Sequence, residues 1–229
     1  RYREIVGQYS RYPVLAAEAQ FRIGNLLLVN KAYQDAIREF MQKEVAPLVD
    51  EAEPGAVLLP EPGVYAGPLV IDKPLTLDGR DQVTLDGGGK GTIVLLDTDG
   101  ATLKNLRLTH SGDSHNDIDS GVHVRGNFNV IKDNVIDNCL FGIDLQQSNN
   151  NIVRRNRISS KPVDLGIRGD AIRFWYCYNN QATDNIIRDS RDTVVWYSKD
   201  NLIARIAETI ITGYKNTICH FYSFIEFFY

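Results

Sequence analysis

The chain has 229 residues, 43% of them apolar and 24% charged, with a net charge of −4. That size and apolar content suit one elongated domain or two compact ones. Acids and bases are mixed along the sequence, which argues against a nucleic-acid groove, and the longest apolar runs, such as residues 26–29, are too short to cross a bilayer.

The sequence opens without Met and without a secretory leader, as expected of a mature portion or of a piece of a longer chain. Residues 14–43 carry apolar and small side chains at helical spacing: Ala16, Ala19, Ile23, Leu26 and Leu27, then Tyr33, Ala36, Ile37 and Phe40. Val29-Asn30-Lys31 supplies a break between two antiparallel helices. Gly24 with Tyr33, Ala36 and Phe40 resembles a tetratricopeptide repeat, and residues 2–13 would then close a preceding unit. So few repeats bury no continuous core, so this helical segment, 1–43, is expected to lean on something else. A short helix over residues 44–54 would cap the edge of the next domain.

After Gly55 the pattern changes to period two. AVLLP, LVID, LTLDG, VTLDG, TIVLL and ATLKNLRL are short runs of β-formers separated by Gly, Asp and Pro. No helix-length segment intervenes, which argues against an α/β crossover fold. DGGGKGT (86–92) lacks the G-K-[ST] ending and following helix of a phosphate loop, and reads as a turn.

From residue 129 a repeat is explicit. NVIKDNVI, NIVRRNRI and NQATDNII share one frame, and NLIARIAE keeps its first half. Their first asparagines, Asn129, Asn151, Asn180 and Asn201, lie 22, 29 and 21 residues apart. SSKPVDL accounts for the longer interval as an inserted loop, and SHNDIDS does the same for the interval from ATLKNLRL. A period near 22 with short strands and Asn at turns predicts a mainly β fold, a right-handed parallel β-helix over 55–205. Coils stacked about 4.8 Å apart would set Asn134, Asn156 and Asn185 in one amide ladder.

The same frame superposes the chain's two tryptophans, Trp175 on Trp196, and Tyr176 on Tyr197. Because neighbours on a strand point oppositely, one aromatic column is expected in the core and the other outside. Beyond 205 the frame loosens: Ile206 stands where the ladder predicts Asn. Residues 221–229 hold six aromatics in nine positions, a composition that aggregates if exposed. The stretch 206–229 is therefore expected to be an atypical tail, either a truncated end or a plug over the last coil.

RGDAIRFWYC (168–177) and SRDTVVWYS (190–198), with GPLVIDKPLTLDG, DGGGKGT and FGIDL, resemble the periplasmic β-helix proteins called NosD, over about 45–205. The resemblance implies a pectin-lyase-like β-helix that is not an enzyme. It further implies a periplasmic accessory in maturing the copper centres of nitrous oxide reductase, partnered by that reductase and a membrane ABC transporter, with copper or sulfur as cargo. On that reading Arg168, Asp170, Arg173, Trp175, Tyr176, Arg191, Asp192, Trp196 and Tyr197 form one interaction face. The helical start lies outside the resemblance.

The insertion THSGDSHNDIDSGVH (109–123) offers His110, Asp113, His115, Asp117, Asp119 and His123 as candidate ligands for a divalent metal, at a spacing that matches no established motif. A solvated loop is the plainer reading. Copper(I) prefers thiolate and thioether, yet Met41 is the single methionine. Three cysteines, Cys139, Cys177 and Cys219, fit neither a C-x-x-C site nor an even disulfide set. Two other functions compete. A polysaccharide-binding or -cleaving β-helix would draw on Asp144, Asp170 and Asp192, but these do not share a frame position, and glycoside hydrolysis needs paired carboxylates. A protein-interaction scaffold would dock partners through the helical start.

Overall fold

The computed structural model describes residues 21–23, 25, 43–209, 217–221 and 225–226. Residues 1–43 and 44–229 are two separate units. Of the expected helical hairpin, Phe21, Arg22, Ile23 and Asn25 are helical, and the rest lies outside the described residues. Among the described residues no helix is long and apolar enough to cross a membrane.

The second unit opens with the helix Ala46–Asp50, shorter than the 44–54 expected, which has Pro47 in its first turn and buries Val49. Val45 and Val49 join the same core as Leu69 and Ile71. From Val57–Leu58 onward the pairings among the described residues are parallel, each strand joining its counterpart in the next coil. One face of the stack is a seven-stranded sheet that includes Ser120–Val124, Phe141–Gln146, Ile172–Trp175 and Asp192–Trp196. A second face stacks Val130–Lys132, Ile152–Arg154, Gln181–Thr183 and Asn201–Ala204. The third stacks Val135–Cys139, Arg157–Ser160 and Ile186–Arg188. This is the parallel β-helix that the 22-residue period predicts.

Pairing continues beyond 205. Ala207–Thr209, Thr217–Phe221 and Ile225–Glu226 each join the strand one coil earlier. Part of the expected tail thus carries further strands.

Core residues repeat vertically because the register is constant. Ile131, Val153, Ala182 and Ile203 form one inward column, and Leu108, Ile136, Ile158 and Ile187 another. All eight are buried. Where coils run closest, only glycine fits: a Cβ on Gly142 would meet the Ala171 carbonyl oxygen at 2.3 Å and an Ile158 methyl at 2.5 Å.

The corners explain the asparagines. Asp133, Arg155 and Asp184 have positive φ, and each directly precedes a buried Asn; Phe128, Asn150, Asn179 and Asp200 do the same before the other Asn set. A left-handed residue turns the chain sharply and leaves the following N–H facing along the stack, off any strand ladder. The next coil's amide oxygen accepts it. Asn134 N donates to Asn156 Oδ1 at 3.1 Å, and Asn156 N donates to Asn185 Oδ1 at 2.9 Å. The amide nitrogens donate to strand carbonyls of the coil before, Asn156 Nδ2 to Ile131 O and Asn185 Nδ2 to Val153 O. The ladder of Asn134, Asn156 and Asn185 is therefore present. A second one runs through Asn129, Asn151, Asn180 and Asn201.

Two predictions follow from these columns. Asn156→Ala removes the acceptor of Asn134 N and the donor to Ile131 O, both buried, at about 1–3 kcal/mol each; urea denaturation should show a loss of roughly 2–5 kcal/mol. Thr193 is 1% exposed, stands in register beside Ile172, and its hydroxyl has no hydrogen-bond partner among the described residues. Thr193→Val keeps the shape and should gain about 1 kcal/mol in the same measurement.

Candidate functional site

On the seven-stranded sheet, inward and outward residues alternate. Ile143, Leu145, Ile172 and Phe174 face the core, so Asp144, Gln146, Arg173 and Trp175 face outward. Register pairs Gln146 with Trp175 and Trp175 with Trp196. The indoles touch, with centroids 5.1 Å apart at 42°. The phenol rings of Tyr176 and Tyr197 stack at 4.7 Å and 9°, and Tyr197 meets Trp175 edge-on at 5.4 Å.

The expectation that one aromatic column enters the core is corrected here. The tryptophans are half-buried, and the tyrosines are 42% and 47% exposed. Tyr176 and Tyr197 have φ of 53° and 51°, so each strand ends at its Trp and strand alternation stops there. The inward places on either side are taken by Phe174 and Cys177 in one coil and by Val195 and Ser198 in the next.

Arg173 extends this aromatic surface. Its guanidinium lies 5.5 Å from the Trp175 ring and 5.8 Å from that of Phe141, a geometry worth about 0.5–2 kcal/mol per contact. Its Nε donates to Asp144 Oδ1 at 2.6 Å. Asp144 is fully buried, and beyond it His123 Nδ1 lies 3.0 Å from Oδ2, off the line of a hydrogen bond. Arg125 Nε donates to His123 Nε2 at 3.2 Å, which leaves the ring proton on Nδ1. Register sets His123, Asp144 and Arg173 in one column. Removing Arg173 would leave a buried, uncompensated charge, at about 3–5 kcal/mol, so Arg173 both supports and displays the surface.

The nine expected face residues divide. Arg173, Trp175, Tyr176, Trp196 and Tyr197 come together. Asp170, Arg191 and Asp192 form an ion cluster where the strands start, with Arg191 Nη2 donating to Asp170 Oδ1 at 2.8 Å and Nε 3.5 Å from Asp192. Asp170 precedes Trp175 by five positions, roughly 16 Å of strand. Arg168 binds two turns together, donating to Val163 O at 2.7 Å and to Asp189 O at 2.9 Å. Asp144 and His123 were absent from the expected face, although Asp144 and Arg173 each stand two positions before a superposed residue, Gln146 and Trp175.

The six candidate metal ligands do not converge on one point. His110 Nδ1 approaches Asp86, Asp113 pairs with Lys161 at 2.6 Å, and His115 contacts the Ile167 carbonyl at 2.9 Å. Asp117 accepts from Ser114 Oγ, Asp119 accepts from Ser114 N, and His123 faces Asp144. Among the described residues no three His, Cys, Asp or Glu side chains gather as a metal site. Instead, the Lys161–Asp113 and His115–Ile167 contacts bind the two inserted loops to each other, and His115 meets the Phe141 ring edge-on at 5.5 Å. Cys139 and Cys177 are free and buried. Burial pushes the Cys139 thiol up to about 12, which keeps it protonated and unreactive. Nor do the carboxylates pair across an open space: Asp144 is covered by Arg173 and His123, and Asp170 is held by Arg191.

Residues 80–223, more than half of the chain, match the family described as the right handed beta helix region. The chain belongs to the right-handed β-helix family. This β-helix is also similar to the probable ABC transporter binding protein NosD of Pseudomonas aeruginosa, at 31% identity over 133 residues. That match covers 57% of this chain and 31% of the relative, so the β-helix corresponds to less than a third of the relative's length.

Asp170 offers a direct check on the ion cluster. Burial raises its carboxyl above the ordinary 3.8, and Arg191 opposes that shift. The folded protein therefore takes up this proton at a higher pH than the unfolded chain. The resulting cost to stability is absent below 3.8 and grows as pH rises through the folded midpoint. Carboxyl NMR titration should place Asp170 above 3.8, and Arg191→Gln should move it higher still.

Proposed function

We propose that this β-helix is a NosD-type accessory protein that works in the periplasm on the copper centres of nitrous oxide reductase, beside a membrane ABC transporter. Its role is contact with a partner protein through the surface of Arg173, Trp175, Tyr176, Trp196 and Tyr197, and copper or sulfur is the cargo of the system. The observation that carries the reading is the outward placement of both tryptophans in register, with a stacked tyrosine pair beside them. Trp, Tyr and Arg are the residue types that dominate binding energy at protein interfaces, and the core here is already filled by other side chains.

The likeness to NosD supports the choice of partner system. The covered carboxylates favour a non-enzymatic role, because hydrolysis of a glycosidic bond needs two carboxyl groups facing across it.

The test is reductase produced beside a Trp175→Ala, Trp196→Ala double variant. Both side chains face outward, so circular dichroism should match the parent. Copper content of the reductase should fall several-fold, and full occupancy beside a folded variant would overturn the assignment.

A further inference from the structure

Stacking also gathers arginines that are scattered in the sequence. At the corner between the second and third faces, a groove of about 650 Å³ is lined by Arg154, Arg155, Arg157 and Arg205 against Asp133 and Asp184, with Ile186 in its wall. A second groove of about 310 Å³ shares Arg157 and Ile186 and adds Arg188, Val135 and Asp137, whose carboxylate is taken up by Arg107 at 2.9 Å. The corner is a charge ladder. Arg155 binds both oxygens of Asp133, at 2.6 and 2.8 Å, and Arg205 binds both oxygens of Asp184, at 2.5 and 3.0 Å. Arg154 also reaches Asp184, at 3.2 Å. Arg155 is thus committed to a neighbouring coil, and so are Arg154 and Arg205.

Arg157 and Arg188 are not. Both are exposed, and neither has an ion-pair partner among the described residues. Arg157 stands in register between Val135 and Ile186, and Arg188 stands one coil on and two positions along. One strand spacing across and two residues along put the two about 8 Å apart. Their guanidinium forks match carboxylates. Carboxylates at positions i and i+2 of an extended polypeptide lie on one side, about 7 Å apart. Val135, 36% exposed, gives a neighbouring apolar side chain a place to rest.

We propose that this corner groove binds an extended acidic segment of a partner polypeptide, two of its carboxylates engaging Arg157 and Arg188. Asp133, Asp137 and Asp184 decide the class of ligand. A uniformly charged polymer, such as a polyuronate or a nucleic acid strand, would meet these acids as it crossed the coils, whereas a peptide with two spaced carboxylates avoids them. The inference is independent of the aromatic surface, which lies on a different sheet.

Fluorescence anisotropy with the full chain tests it, using a labelled peptide Gly-Val-Ser-Glu-Ser-Glu-Ser-Gly. Saturable binding is expected, weakening as salt rises and falling about tenfold in the Arg157→Gln, Arg188→Gln variant. The Trp175→Ala, Trp196→Ala variant should bind the peptide as the parent does, which separates this groove from the proposed aromatic contact. Absence of binding would overturn the proposal. So would equal binding of the peptide with Gln in place of Glu, or tighter binding of an oligouronate or single-stranded DNA.

Discussion

Every coil of this protein must turn corners, and a left-handed residue at a corner takes the next N–H out of the sheet ladder. Buried, such a donor costs about 1–3 kcal/mol if it finds nothing. The asparagine of the following coil supplies its side-chain oxygen at that point, and this recurs along two columns. The contact holds only when coils are in register, so it fixes which residues lie above one another. The hydrophobic columns, the paired indoles and the arginine corner all inherit that alignment.

Loop length is thereby decoupled from coil geometry. The two insertions, which lengthen the coil interval to 28 and 29 residues, leave the ladder hydrogen bonds between 2.7 and 3.0 Å. The extra residues bulge from the stack and touch each other instead, through Lys161–Asp113 and His115–Ile167. They rise beside Phe141, whose ring lies against Arg173, so the insertions border the aromatic surface.

Much of this was legible in the sequence because the repeat is written in asparagines. The period predicted the fold and the ladder of Asn134, Asn156 and Asn185, and it superposed Trp175 on Trp196. It could not predict which way the aromatics face, since that depends on the left-handed conformation of Tyr176 and Tyr197, residues with no intrinsic preference for it. The second ladder was hidden in plain view: Asn129, Asn151, Asn180 and Asn201 served as frame markers and turned out to be buried as deeply as the first set. Loop chemistry was least legible. Histidines and aspartates close in sequence look like a ligand set, yet His110, Asp113, His115 and His123 turn to partners far along the chain, and Asp117 and Asp119 turn back to Ser114.

The asparagine columns also have a direction. Each side-chain oxygen receives its N–H from the coil before, never from the coil after, so the amide dipoles of a column point the same way and reinforce one another. A unit of about 22 residues therefore presents the same socket on one side and the same plug on the other. Whole windings can be gained or lost in evolution without rewiring those that remain, which is a physical route by which length diverges among such chains while their cross-section stays constant.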